Sequence, residues 1–155
     1  MNLQIREFSK SEKDYKKHLF VENKISQLDA QHWSEDLKTQ ITNMQYMAQE
    51  NHINTYFPEA KDSVIICNNK KVGRLVFEKS DFKLHVIDIV IEKKHQNKGL
   101  GTEILTKLIS ENELISLNVD MNNPALNLYQ RLGFKVIEQR NHQYFMEYEK
   151  QSPWY

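Results

Sequence analysis

The chain has 155 residues, of which 39% are hydrophobic, 27% are charged and only four are glycine. That profile fits one domain with a buried core and excludes disordered, collagen-like and linker-like chains. Lys and Arg together number 21, as do Asp and Glu, so the basic excess that a nucleic-acid partner requires is missing. Cys67 is the only cysteine, which excludes an internal disulfide and a thiolate zinc cluster, and no metal site is expected. No apolar run approaches the 18 or so residues of a membrane span, and Met1–Glu7 lacks the apolar stretch of a secretion signal. The expectation is a cytoplasmic protein without a membrane partner, organised as a single domain over residues 1–155.

Leu3, Ile5 and Phe8 predict a short strand, followed by a helix over Glu12–Val21. A second helix is predicted over Ser34–Glu50, where Trp33, Leu37, Ile41, Met44 and Met47 or Ala48 recur at steps of three and four. That stripe reads as the core-facing side, with a substrate-cleft lining as the alternative. Strand character begins near Ser63. Val64–Cys67 and Val72–Phe77 flank the turn residues Asn68-Asn69-Lys70. Leu84–Ile91 is almost continuously apolar, the mark of a central strand covered on both faces. Thr102–Glu111 carries a helix stripe at Ile104, Leu105, Leu108 and Ile109, and Ile115, Leu117 and Val119 alternate as a strand. Asn123-Pro124 opens a further helix, which Gly133 ends after Leu132. Phe134–Ile137 and Tyr144–Tyr148 form a closing hairpin around Asn141-His142. The order predicts an α/β fold with a mixed, mostly antiparallel central sheet flanked by helices on both faces.

Gln96-Asn97-Lys98-Gly99-Leu100-Gly101-Thr102 lies between the apolar strand and an amphipathic helix. The first amides of a helix lack intrahelical partners and the helix dipole favours anions there, while glycine lets a phosphate approach the backbone closely. The segment reads as a pyrophosphate cradle or as a plain strand-to-helix turn. It lacks the third glycine of the dinucleotide fingerprint and the Gly-Lys-Ser/Thr of a Walker loop.

A second segment, Asn122-Asn123-Pro124-Ala125-Leu126-Asn127-Leu128-Tyr129-Gln130-Arg131-Leu132-Gly133-Phe134, follows one strand later. Together the two resemble the GNAT superfamily of acyl-CoA-dependent N-acyltransferases, specifically its short single-domain bacterial-type members. Gln96, Gly99 and Gly101 match the family's Q/R-x-x-G-x-G/A motif. Asn122, Ala125, Leu128, Tyr129, Gly133 and Phe134 match its N-x-x-A-x-x-L-Y-x-x-x-G-F pattern. The resemblance is specific from about Val72 to Phe134.

The resemblance implies acetyl-CoA as co-substrate. The backbone of Ile89, Val90 and Ile91 would pair with the pantetheine arm like an added strand. The amides of Asn97, Lys98, Gly99, Leu100, Gly101 and Thr102 would hold the pyrophosphate, with Gln96 as part of the motif. Lys98, and less directly Lys93 or Lys94, would meet outer phosphates unless they are simply solvated. Asn122 would touch the cofactor arm. Tyr129 stands where the family places the acid that protonates the departing thiolate, and a phenol with an ordinary pKa near 10 keeps its proton at neutral pH.

An amine must lose a proton before attacking a thioester. Asp88 is the only carboxylate inside the apolar strand, where an unused charge is costly. It reads as general base or amine anchor, or as a structural hydrogen-bonding group. His85 is a second candidate relay or a structural residue, and a water relay is the third option. A backbone N–H near Ile91 would stabilise the oxyanion.

The sequence departs from the family in two places. Asn118 precedes Val119 where the peptide-N-terminus branch carries an acid, and Glu92-Lys93-Lys94 follows the apolar strand where proline is frequent. The implied function is acetyl transfer to a primary amine in a ternary complex, with a small molecule or a peptide as acceptor. The alternative is a non-catalytic CoA-binding regulatory or scaffold module of the same fold. Trp33, Tyr46, Tyr56 and Phe57 are candidate walls of the acceptor cleft. The tail Ser152-Pro153-Trp154-Tyr155 leaves a homodimer contact open.

Overall fold

The computed structural model of the chain describes residues 2–151, so the tail Ser152–Tyr155 and its expected subunit contact lie outside the described residues. The elements are β1 (Leu3–Glu7), α1 (Lys13–Gln27), α2 (Glu35–Tyr56), β2 (Lys61–Cys67), β3 (Lys70–Lys79), β4 (Lys83–Ile91), α3 (Leu100–Glu111), β5 (Leu114–Asp120), α4 (Leu126–Arg131), β6 (Lys135–Arg140) and β7 (Gln143–Glu149). The seven strands form an open, mixed sheet in the order β1-β2-β3-β4-β5-β7-β6. β4 and β5 run parallel, whereas β1–β2, β5–β7 and β6–β7 are antiparallel. This is the α/β, mostly antiparallel class that the order of elements predicts. Among the described residues no helix is long and apolar enough to cross a membrane.

The contacts divide the chain into two compact units: the chain up to Val76 with Asp88–Gln96, and Phe77–Ile87 with the chain from Asn97 onward. In the first unit both helices outrun their expected ends, α1 reaching Gln27 and α2 reaching Tyr56. No glycine or proline stands in either extension to break it; α1 ends where Leu28 turns extended, and α2 ends on the approach to Pro58. Ser34 caps α2 by accepting the Leu37 amide at 3.1 Å. A capping box precedes α1, where Glu12 accepts the Ser9 amide at 2.9 Å and Arg6 grips both Glu12 oxygens at 2.8 and 3.0 Å.

Two expectations of burial are corrected. The apolar stripe of α2 faces outward in large part, with Leu37 41% exposed, Met44 67% and Met47 63%; the fully buried residues of α2 are Thr42 and Ile53. The inward side of α2 carries polar groups instead, among them Glu50, which pairs with the buried Arg74 of β3, as described below. The second correction concerns the strands. β3, not β4, is the most buried, with Val72–Val76 all inaccessible, while Ile87–Ile91 of β4 stay partly exposed. Cys67 closes β2 as a buried free thiol.

The core of the second unit is built from Leu84 and Val86 of β4, Ile104, Leu105 and Leu108 of α3, Ile115, Leu117 and Val119 of β5, and Met146 of β7. Helix α4 starts two residues later than expected. Asn123 instead forms a turn, its Oδ1 accepting the Ala125 amide at 2.9 Å, and Ala125 takes the N-cap position. At the other end Gly133, with φ of 103°, donates its amide to the Gln130 carbonyl, and Phe134 donates to Tyr129 O. These two bonds make a Schellman stop. Asn141, with φ of 54°, turns the β6–β7 hairpin.

Candidate active site

In the first unit the end of β4 is held from several sides. Gly73 of β3 lies so close that a Cβ there would sit 2.3 Å from the Val90 carbonyl oxygen and 3.3 Å from Ile91 Cα. The Glu92 amide donates to Val72 O at 2.7 Å, and the Gln96 side-chain amide donates to Ile91 O at 2.9 Å. Helix α1 fastens the same corner: Tyr15 donates its hydroxyl to buried Glu92 at 2.9 Å, and Glu22 accepts the Lys93 amide at 2.9 Å. Burial and the Glu92 carboxylate together push the Tyr15 phenol well above its ordinary value. The parallel register of β4 with β5 runs from Lys83 to Val86, so Ile89, Val90 and Ile91 fall outside it. Those three residues form a rigid, partly exposed strand end whose backbone is suited to an extended amide-bearing ligand. Gln96 sits at this place through its bond to the strand, a bracing role that motif matching alone does not suggest.

Asp88 occupies the same half of β4. Burial pushes its carboxyl above the ordinary aspartate range; the Glu50 and Asp62 charges add to this, while Arg74 and the Ile89 amide oppose it. Arg74 is 2% exposed and bound at both ends of its guanidinium. Nε and Nη2 lie 2.8 and 2.9 Å from the two Asp62 oxygens, and Nη1 lies 2.8 Å from Glu50 Oε1. Lys16 adds a contact of 2.6 Å to Asp62. Arg74 is the group the sequence reading misses, and its signal is a lone cation inside the apolar run Val72–Phe77.

In the second unit the segment before α3 has the conformation an anion cradle needs. Asn97 and Gly99 both adopt left-handed backbone, with φ of 61° and 82°. Gly99 is the N-cap, no side chain caps the helix, and beyond the adjoining stretch of chain no atom lies within 4 Å of where a Gly99 Cβ would stand. The first-turn amides of Leu100, Gly101 and Thr102 are therefore the donors on offer at a twelve-residue helix. Lys98 and Thr102 are exposed beside them, and Leu100 is buried. Gly101 has a packing reason as well, because a Cβ there would meet Leu128 Cδ2 of α4 at 3.1 Å.

Asn122 is exposed on the loop ahead of α4. Tyr129 is 6% exposed on α4, with its ring 5.7 Å from Phe134 at 63°. His85 bonds through Nδ1 to the fully buried Ser116 hydroxyl at 2.7 Å, and burial, helped by Lys83, pushes its pKa down. Asn118 lines an open groove of about 670 Å³ with Asp120, Glu138, Arg140, His142 and Phe145. Of the other candidate cleft residues, Tyr46 packs on Phe20 at 5.4 Å, while Tyr56 is 69% exposed and its ring lies tilted against His52 at 4.8 Å.

The acetyltransferase (GNAT) domain model matches residues 59–136, half of the chain. The chain belongs to the GNAT family. A GNAT domain accounts for both motifs, since the matched span contains the strand, the cradle segment and the Tyr129 helix. An N-alpha-acetyltransferase of Sulfurisphaera tokodaii is 35% identical over 69 residues, 40% of this chain and 41% of that protein. The chain thus spans less than half of that relative's length. Among solved structures, the PaiA N-acetyltransferase of Thermoplasma acidophilum in complex with coenzyme A is similar at a TM-score of 0.63 and 16% identity, over 96% of this chain and 99% of that one. The ribosomal-protein-S18-alanine N-acetyltransferase of Escherichia coli gives 0.61 and 18%, over 97% and 96%. An acetyltransferase of Thermus thermophilus gives 0.66 and 14%, over 96% and 97%. At these identities the likeness is one of fold.

Proposed function

We propose that this chain, acting as a single GNAT-type domain over residues 1–155, transfers the acetyl group of acetyl-CoA to a primary amine. The observation that carries the reading is the turn before α3, where left-handed Asn97 and Gly99 lead into first-turn amides that no side chain caps. Membership of the GNAT family, shown by the matching domain model, supports the same assignment. Acetyl-CoA would supply the acyl group as a thioester. The amides of Asn97, Lys98, Gly99, Leu100, Gly101 and Thr102 bind its pyrophosphate, and the backbone of Ile89, Val90 and Ile91 orients its amide-bearing arm. Asn122 touches that arm, and Gln96 braces the strand end through Ile91 O.

Asp88 takes the proton that the acceptor nitrogen loses as its bond to the acyl carbon forms. Tyr129 gives its phenolic proton to the sulfur as the carbon–sulfur bond breaks, and solvent returns both groups to their starting states. Asp88 suits this task because burial raises its pKa toward the working range, and a base is most effective there. His85, bonded to Ser116 within the second unit, serves as a structural residue in this reading. The acceptor is a small-molecule or peptide amine. The names of similar proteins, an N-alpha-acetyltransferase and a ribosomal-protein acetyltransferase, favour a peptide.

The test is a thermal-shift titration with acetyl-CoA and CoA, followed by thiol release over a panel of amines and peptides. Ligand at about 100 times Kd stabilises a fold by roughly 2.7 kcal/mol, a clear rise in Tm. Binding with turnover on at least one amine is expected. No shift with either ligand overturns the reading.

A further inference from the structure

Four charged groups in the first unit form a closed set around Arg74. Asp62 takes two guanidinium nitrogens and Lys16, and Glu50 takes the third nitrogen. Two cations therefore face two carboxylates, and the charges balance without Asp88. Among the described residues no ion pair joins Asp88 itself, although it stands on β4, the strand beside the β3 that carries Arg74. The charges that act on it are those of Arg74 from β3, Glu50 from α2 and Asp62 from β2, and Lys16 from α1 is tied to Asp62. Tyr46 of α2 belongs to the same set: burial, with the Glu50 charge, pushes its phenol up and keeps it neutral.

We propose that Glu50 and Asp62 are positioning residues for proton transfer, holding the Arg74 charge to themselves so that the Asp88 carboxyl takes up and gives back a proton in the working pH range. An aspartate beside an uncommitted arginine would be locked as a weakly basic carboxylate. Here the cation is saturated by a bidentate pair on one side and a second carboxylate on the other. Burial, Glu50 and Asp62 all act on Asp88 in the direction this requires. The inference rests on the reading of Asp88 as the base.

Glu50→Gln tests it. Glutamine keeps an oxygen for Arg74 Nη1 but removes one negative charge, which frees part of the Arg74 field for Asp88. The ionised form of Asp88 gains, so its midpoint falls, by on the order of one pH unit. Arg74→Gln has the opposite sign and raises the midpoint; where that variant does not fold, Glu50→Gln decides alone. Two readouts are taken on the full chain. The Asp88 carboxyl is titrated by carbon NMR without ligand, assigned against Asp88→Asn, and the acid limb of kcat/KM is followed with the best amine of the panel. A fall in both midpoints supports the proposal. An unmoved Asp88 titration in folded Glu50→Gln overturns it. A titration that falls while the kinetic limb stays overturns Asp88 as the base and leaves the charge network as the control on its ionisation.

Discussion

Gly73→Ala is expected to damage both stability and cofactor binding. The added Cβ would stand 2.3 Å from the Val90 carbonyl oxygen, and both partners in the clash are backbone. Carbon–oxygen contacts between strands normally fall at about 3.3–3.6 Å, so β3 and β4 must part by about 1 Å where the Glu92–Val72 bond closes them. Overpacking of a tight site costs about 1–3 kcal/mol, and weakening that hydrogen bond adds about 1 kcal/mol. The sum is about 2–4 kcal/mol. For a domain of this size each kcal/mol lowers Tm by about 2–4 °C, so a fall of about 5–15 °C is expected in a thermal melt followed by circular dichroism. Displacing Val90 and Ile91 should also weaken CoA binding, measured by calorimetry well below the lowered Tm. A melt within about 2 °C of the parent would refute the close strand approach.

Further outcomes follow from other contacts. Tyr129→Phe keeps the ring against Phe134 and should leave folding and CoA affinity nearly unchanged, while kcat falls by about 10²–10⁴; unchanged turnover removes Tyr129 from the chemistry. Gly99→Leu forces a left-handed side chain, a strain of about 1–2 kcal/mol, and should weaken CoA binding in calorimetry. Equal affinity there would dismiss the cradle, whereas Gly101→Ala meets only the flexible end of Leu128 and should be milder. Glu12→Gln should lower Tm at pH 7, because Arg6, together with the Ser9 amide, holds the Glu12 carboxyl well below its ordinary value. The sign follows from linkage: a depressed carboxylate stabilises the fold above the unfolded value near 4.3 and loses that contribution as pH falls toward its folded value. The gap between parent and variant should therefore close on acidification from pH 5 downward, and a gap constant with pH would contradict the ion pair.

The order of elements was legible because each carries its own local signal: turn residues at Asn68-Asn69, a continuous apolar run in β4, a helix stop at Gly133. The inward face of α2 was not. Periodicity favours the side with Leu37, Met44 and Met47, yet the buried side chain oxygens of Gln45, Gln49 and Glu50 lie inward instead. A pattern rule that sorts apolar from polar reads the wrong side when polar groups turn inward, as Glu50 does to pair with Arg74 of a distant strand. Gly73 was opaque for a related reason. Its neighbour in space, Val90, lies 17 positions away, and only strand pairing brings the two backbones together. The cradle and Tyr129 were readable as motifs, but the bracing of Ile91 by Gln96 and the second duty of Gly101 in packing α3 on α4 needed coordinates.

The enclosure of Cys67 has a practical side. A disulfide reagent that changes colour with free thiol can count each molecule of CoA released, and the protein's own thiol, closed off at the end of β2, stays silent while the fold is intact. The same silence turns into a clock when the fold opens. Under denaturant, the rate at which Cys67 becomes reactive measures how often the β1–β2 edge of the sheet comes apart, in a molecule that needs no added label.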